Sequence, residues 1–228
     1  MLEFIDMMFG GDPNAPYTLN LVANVANPNI PTLATNAGWN GKAPLVVNIT
    51  AALVSSLNFP SNWSFPGGVT LKISSSTLVG GVASGGTAII TRVPLKIENL
   101  GAIYGGGGPG GNGQGVYAVS TDGYQFFANG GAGGRGQGFE STSSVNVLPA
   151  LAGAQGESIY YLGASANGGK GGDGGGWGQY GASGGYGSWN PSGGNWYAAG
   201  AGQPPGAYID GNSYVTWLNN GTRAGRVI

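Results

Sequence analysis

Between Gly169 and Gly187 glycine stands at every third position: Gly169, Gly172, Gly175, Gly178, Gly181, Gly184 and Gly187. Glycine loses more backbone entropy on ordering than any other residue, so an ordered run must be offset by contacts that only a missing Cβ permits. A period of three places these positions on one edge of a polyproline II helix, which has three residues per turn and no internal hydrogen bonds. A second backbone can then approach that edge and satisfy the amide groups the helix leaves open. The competing reading is a flexible glycine-rich linker.

Two further blocks favour order, IYGGGGPGGNGQG from Ile103 and NGGAGGRGQG from Asn129, and aromatic residues flank each block. A solvated linker has no use for them. Collagen needs glycine in one unbroken phase with abundant proline at the other positions. Here the phase shifts between blocks, and no proline lies between Pro149 and Pro191. The expected fold class is therefore all-β and irregular: a short-stranded N-terminal β region followed by a glycine-rich bundle of polyproline II-type helices.

Charge narrows the function classes. Charged residues make up 7% of the chain and the net charge is −1, which leaves no electrostatic footprint for nucleic acid. Cysteine and histidine are absent, removing disulfides, thiolate metal sites and the commonest general base. The opening MLEFIDMMFGG carries Glu3 and Asp6 inside its apolar run and does not read as a signal peptide. No apolar run is long enough to span a membrane. No cofactor or metal is implied, and an enzyme is not expected.

In chain order, Leu2, Phe4, Ile5, Met7, Met8 and Phe9 form an apolar plug that either covers the chain's own core or docks into a partner. Alternation then marks strands in TLNLVANV, Val69–Ile73 and Leu95–Glu98, a β-branched run marks PLVVNITAALVSSLNF, and Ala88–Thr91 reads as a further short strand. Composition changes at Gly101, dividing the chain into a β-rich region, 1–100, and a glycine-rich domain, 101–228. Phe139 to Gly163 is glycine-poor, with Ile159, Tyr160, Tyr161 and Leu162 reading as structure that packs the glycine domain. The end, AYIDGNSYVTWLNNGTRAGRVI, reads as a closing hairpin around Asp210-Gly211-Asn212.

Several motif matches carry no weight. Gly176-Trp177-Gly178-Gln179-Tyr180-Gly181 fits the dinucleotide fingerprint, but it follows no strand and opens no helix. Gly168-Gly169-Lys170-Gly171-Gly172-Asp173 begins like a calcium β-roll repeat, yet Gly175 stands where a large apolar residue belongs and there is no tandem copy.

The series LKIENLGAIYGGGGPGGNGQG, ANGGKGGDGGGWGQYG and GAYIDGNSYVTWLNNGTRAGRVI resembles the glycine-rich adhesins at the tips of tailed-bacteriophage fibres, over roughly the last 130 residues. The resemblance implies a virion protein at the tail tip or tail fibre, whose glycine blocks are scaffold and whose spacers touch a host receptor. That receptor would be an outer-membrane protein, a polysaccharide or a pilus. It also implies an N-terminal region that joins other tail proteins, with a homotrimer as the expected symmetry. Receptor-binding residues are then expected at Tyr124, Phe126, Phe127, Trp177, Tyr180, Tyr186, Trp189, Trp196 and Tyr197, because aromatic side chains give large contact area with few rotatable bonds. Two alternatives are a purely structural tail component and an ice-binding glycine-rich protein.

Overall fold

The computed structural model describes residues 14–228, so the apolar plug at the start of the chain lies outside the described residues. From Tyr17 the chain winds through stacked coils. The first coil contains β1 (Tyr17–Leu21), β2 (Val25–Ala26) and helix α1 (Ile30–Asn36). The second contains β3 (Leu45–Ile49), β4 (Leu53–Ser55) and β5 (Leu57–Phe59). The third contains β6 (Val69–Ile73), β7 (Leu78–Gly80) and β8 (Ile89–Thr91), and the fourth opens with β9 (Leu95–Asn99) and β10 (Ala102–Tyr104).

A long excursion follows, carrying β11 (Gly115–Val119), β12 (Gln125–Ala128), β13 (Gly138–Phe139), β14 (Val147–Leu148), β15 (Ser158–Tyr161), β16 (Ala164–Asn167), β17 (Ser188–Asn190) and β18 (Ser192–Tyr197). The chain then returns as β19 (Ala207–Asp210), which completes the fourth coil, and makes a last coil of β20 (Val215–Asn219), β21 (Thr222–Ala224) and β22 (Arg226–Val227).

Three sheets run along the stack, ordered β1-β3-β6-β9-β20, β2-β4-β7-β10-β21 and β5-β8-β19-β22, and their pairings are all parallel. Alternation within each strand sends every second side chain inward. Equal register then stacks like on like: Leu19, Val47, Leu71 and Ile97 form one ladder, which ends at Trp217. Val47, Leu71 and Ile97 are fully buried, and each such side chain contributes roughly 1.5–3 kcal/mol.

The first coil is covered by α1, which Asn29 caps by accepting the Thr32 N–H at 3.1 Å, and which buries Ile30 and Ala34 one turn apart. In the last coil Arg223 takes the register position of Ile103. Its guanidinium lies 4.5 Å from the Trp217 ring and 5.2 Å from that of Tyr208, closing the aliphatic stack with a cation–π contact.

This corrects the expected fold class. The architecture is a β-solenoid of stacked parallel coils, not a short-stranded β region followed by a glycine-rich bundle of polyproline II-type helices, and the parallel registers across three sheets overturn that reading. The expected closing hairpin fails for the same reason: β19 pairs with β8 and β22, whereas β20 pairs with β9. Local alternation tells which face of a strand is buried but not which strand lies beside it.

The excursion leaves at the corner between the second and third sheets. There the backbone bonds coil to coil, from Asn27 N–H to Ser55 O, Ser56 N–H to Gly80 O, Gly81 N–H to Tyr104 O and Gly105 N–H to Ala224 O, at 2.7–2.9 Å. Asn27 and Ser56 turn this corner with φ of 42° and 51°. In the third coil the corner is widened by residues 81–88, and in the fourth it opens into residues 105–206. The composition break at Gly101 thus falls inside a coil, between β9 and β10.

Within the excursion, extended runs outside any strand go outward (105–114, 149–157, 179–187) and back (130–137, 168–176, 198–206), forming a stalk. Hydrogen bonds recur at every third residue. Gly107, Gly110 and Gly113 donate to Gln137, Gly134 and Gly131, and Gly108, Gly111 and Gln114 donate to Gln179, Ala182 and Gly185. The backbones touch: a Cβ on Gly107, Gly110 or Gly113 would meet the carbonyl oxygen of Gly175, Gly172 or Gly169 at 2.0 Å.

Candidate functional site

Because the runs alternate in direction, the connections between them alternate between two ends of the stalk. Residues 138–148 and 177–180 lie at the base, where Phe139 N–H donates to Gly81 O and Gly178 N–H to Gly105 O. The hairpins β11–β12 and β15–β16 and the strands β17 and β18 lie at the other end. The ten residues from Gly105 to Gln114 hold these ends apart by at most about 35 Å.

Each tip is locally determined. Asp122 shapes the β11–β12 turn by accepting from Ser120 Oγ and from the Tyr124 N–H, while Gly123 supplies a φ of 84°. These bonds hold the Asp122 carboxyl below its ordinary range, the Ser120 hydroxyl being the larger cause. The β15–β16 turn is Leu162-Gly163, with φ of 40° and 76°, the left-handed pair that a two-residue hairpin requires. Thr121 Oγ1 donates to Leu162 O at 3.3 Å and joins the two turns.

Beneath them Val116, Ala118, Phe126, Ala128, Ala164 and Ala166 form a small buried core, whose alanines let the sheets β12-β11-β18 and β15-β16-β17 close together. At the inner edge Glu157 accepts from Asn129 through both its N–H, at 2.8 Å, and its side-chain amide, at 3.0 Å. This lowers the Glu157 pKa, the backbone bond being the larger cause.

The structure brings several of the expected contact residues together. Tyr124 packs on Tyr161 at 5.5 Å between centroids, and Phe127 lies 4.6 Å from Trp196, which adjoins Tyr197. Trp189 stands on β17 with its ring against Gly193. Tyr186, at the outer end of its run, is 85% exposed. Phe126 instead belongs to the small core.

Trp177 and Tyr180 lie at the base. Trp177 packs on Phe139 and Tyr104, with centroids 5.6 and 6.4 Å away, and Tyr180 is exposed beside it. Of the expected scaffold glycines, Gly169, Gly172, Gly175, Gly181 and Gly184 each face a neighbouring carbonyl oxygen at 1.9–2.3 Å from a Cβ position. Gly187 abuts Val116 and Asn167, and Gly178, with φ of 64°, abuts Ala224 in the last coil. The sequence pattern suggests packing roles for Tyr160, Tyr161 and Leu162, yet Tyr160 is 75% exposed and all three are at the tip. The usable signal was the Tyr-Tyr pair directly before a Leu-Gly turn.

Among the described residues no group of three His, Cys, Asp or Glu side chains is placed to hold a metal ion. Asp173, the aspartate of the partial calcium repeat, accepts instead from the Gly153 N–H and from Lys170 Nζ, both at 3.0 Å. These bonds lower its pKa, the Gly153 N–H contributing most. An open cleft of about 810 Å³ lies between the solenoid corner at Ser56 and the base loop at Glu140, away from the tips.

A solenoid that holds out a stiff, almost uncharged stalk ending in exposed aromatic rings has the layout of a surface-recognition module. Residues 16–228 match the phage tail fibre adhesin Gp38 family, and the chain belongs to that family. It is therefore a receptor-binding adhesin of the bacteriophage tail fibre, and the family role is adhesion rather than catalysis. The gp37–gp38 adhesin tip complex of the bacteriophage S16 long tail fibre contains a chain of similar fold, with a TM-score of 0.51 and 21% identity over 94% of this chain and 82% of that one. No curated protein matches.

Proposed function

We propose that the hairpin tips at the outer end of the stalk are the surface that contacts the host receptor, and that the solenoid joins the chain to another protein of the fibre. The observation that carries the first part is convergence: Tyr124, Phe127, Tyr160, Tyr161, Trp189 and Trp196 are all exposed at the end farthest from the solenoid. Exposed rings on a rigid support lose little entropy on binding. The second part is supported by the S16 chain, which was solved in complex with gp37, and by the position of the solenoid at the opposite end from the tips.

Alanine variants at Tyr124, Tyr161 and Trp196 test the tip. Each is expected to weaken adsorption to host cells by about thirtyfold, the effect of losing a hot spot of roughly 2 kcal/mol, without lowering the melting temperature. Trp177→Ala serves as the contrast: it is expected to lower melting because the ring packs at the base. Undiminished adsorption in all the tip variants would sink the assignment.

A further inference from the structure

The outward face of the β12-β11-β18 sheet differs from the rest of the tip. Register puts Gly115, Tyr117 and Val119 of β11 on it, with Gln125 and Phe127 beside them and Ser192, Gly194 and Tyr197 on the other flank; a bulge shifts the register at Trp196, whose ring joins the face 4.6 Å from Phe127. None of these residues is charged.

The rings lie on glycine. A Cβ on Gly115 would meet the Tyr197 ring at 2.2 Å, and one on Gly194 would meet the Tyr117 ring at 2.8 Å. Tyr197 crosses Gly115 to take a 2.8 Å hydrogen bond from the Gly130 N–H, so its ring is fixed from both ends. Trp196 and Phe127 are 52% and 40% exposed, and Phe127 also packs 6.1 Å from Tyr117. The result is a pinned aromatic shelf. Among the described residues the exposed side chains of Gln125 and Ser192 at its rim have no hydrogen-bond partner.

This chemistry selects among receptors. A pyranose ring offers an apolar C–H face to an aromatic ring and hydroxyls at its edge to amide and hydroxyl groups, and it requires no ion pair. An anionic lipid or phosphate surface would call for Lys or Arg, and this face has neither. Resting on the receptor-contact reading of the tip, we infer that this shelf stacks the sugar rings of a neutral cell-surface polysaccharide. Trp196 and Phe127 supply the stacking faces, and Gln125 and Ser192 bond the hydroxyls.

The test uses the full chain and bacteria to which it adsorbs. Cells are treated either with periodate, which cleaves vicinal diols of glycans, or with a broad protease, and polysaccharide released from the same cells by mild acid is added as competitor. Adsorption is expected to survive protease, to be abolished by periodate and to be blocked by the released polysaccharide. Trp196→Ala is expected to lose about thirtyfold in adsorption, and Trp196→Phe to recover most of it, because stacking needs only a ring. Adsorption that survives periodate but falls with protease overturns the glycan assignment while leaving the tip as the contact surface. Loss on Tyr124→Ala or Tyr161→Ala with none on Trp196→Ala removes the shelf from the contact. Insensitivity to all of these variants overturns both readings.

Discussion

In the solenoid, Val47, Leu71 and Ile97 lie in one register with no exposed surface, and the strand ladders pair the backbone while the side chains fill the space between sheets. In the stalk, Gly110 donates to Gly134 and its own Cα faces the Gly172 carbonyl, with no side chain in between. Both regions satisfy their backbone amides through partners distant in sequence. The first derives its cohesion from buried apolar area and tolerates changes of side chain if volume is kept. The second derives it from contact between backbones and tolerates no added atom. The proposed contact surface is therefore held out on a support that contributes almost no side chains of its own.

One methyl group is enough to challenge that contrast. Gly110→Ala places a Cβ at 2.0 Å from Gly172 O, both partners being backbone, so the stalk must open. The expected cost is more than about 4 kcal/mol, in the range of severe overpacking, read as proteolysis within residues 105–206 or as failure to fold. Normal melting of this variant would break the contrast.

Leu71→Ala removes three carbons from a fully buried position and leaves a cavity, with an expected cost of about 2–5 kcal/mol in chemical denaturation. If this variant is less stable than Gly110→Ala, the ranking of the two regions is reversed.

The smallest effect concerns the join between stalk and tip. Glu157 has its pKa lowered by its bonds to Asn129, so its contribution is present above the unfolded-state pKa and is lost as pH falls through the lower folded-state value. Acidification below the usual glutamate range should therefore loosen the tip in the natural protein. Since Asp122 is shifted in the same direction, the difference in melting temperature between the natural chain and Glu157→Gln isolates the Glu157 part. That difference should shrink towards low pH; one that stays constant across the acid range would remove the assigned role.

The sequence made parts of this legible for physical reasons. The glycine period of three shows in the spacing of the stalk hydrogen bonds, because a missing Cβ is a property of single residues. Strands β1, β6 and β9 could be read from alternation and β3 and β8 from β-branched runs, but the parallel coil stacking could not, since register between strands more than twenty residues apart leaves no local mark.

The tip was read in part because the runs alternate in direction, so each spacer's end of the stalk depends on counting every run before it. Residues 149–157 read as a glycine-poor interval, although Gly153 and Gly156 keep the period and face the Gly171 and Gly168 carbonyl oxygens at 2.1 and 2.2 Å from a Cβ position. Missing that run shifts the count by one. It puts Trp177 and Tyr180 at the outer end of the stalk, where the structure has Tyr160 and Tyr161.

The solenoid should stand complete without the stalk, whereas adsorption should not survive its loss. Gly206 N–H already bonds Gly106 O at 2.8 Å, so a short glycine-asparagine turn can replace residues 107–205 and close the fourth coil. The measurement is cooperative melting of this shortened chain together with its adsorption to cells that the full chain binds. The expected result is a folded solenoid that melts cooperatively and does not adsorb. Adsorption at the full chain's level, or a chain that no longer folds, would contradict it.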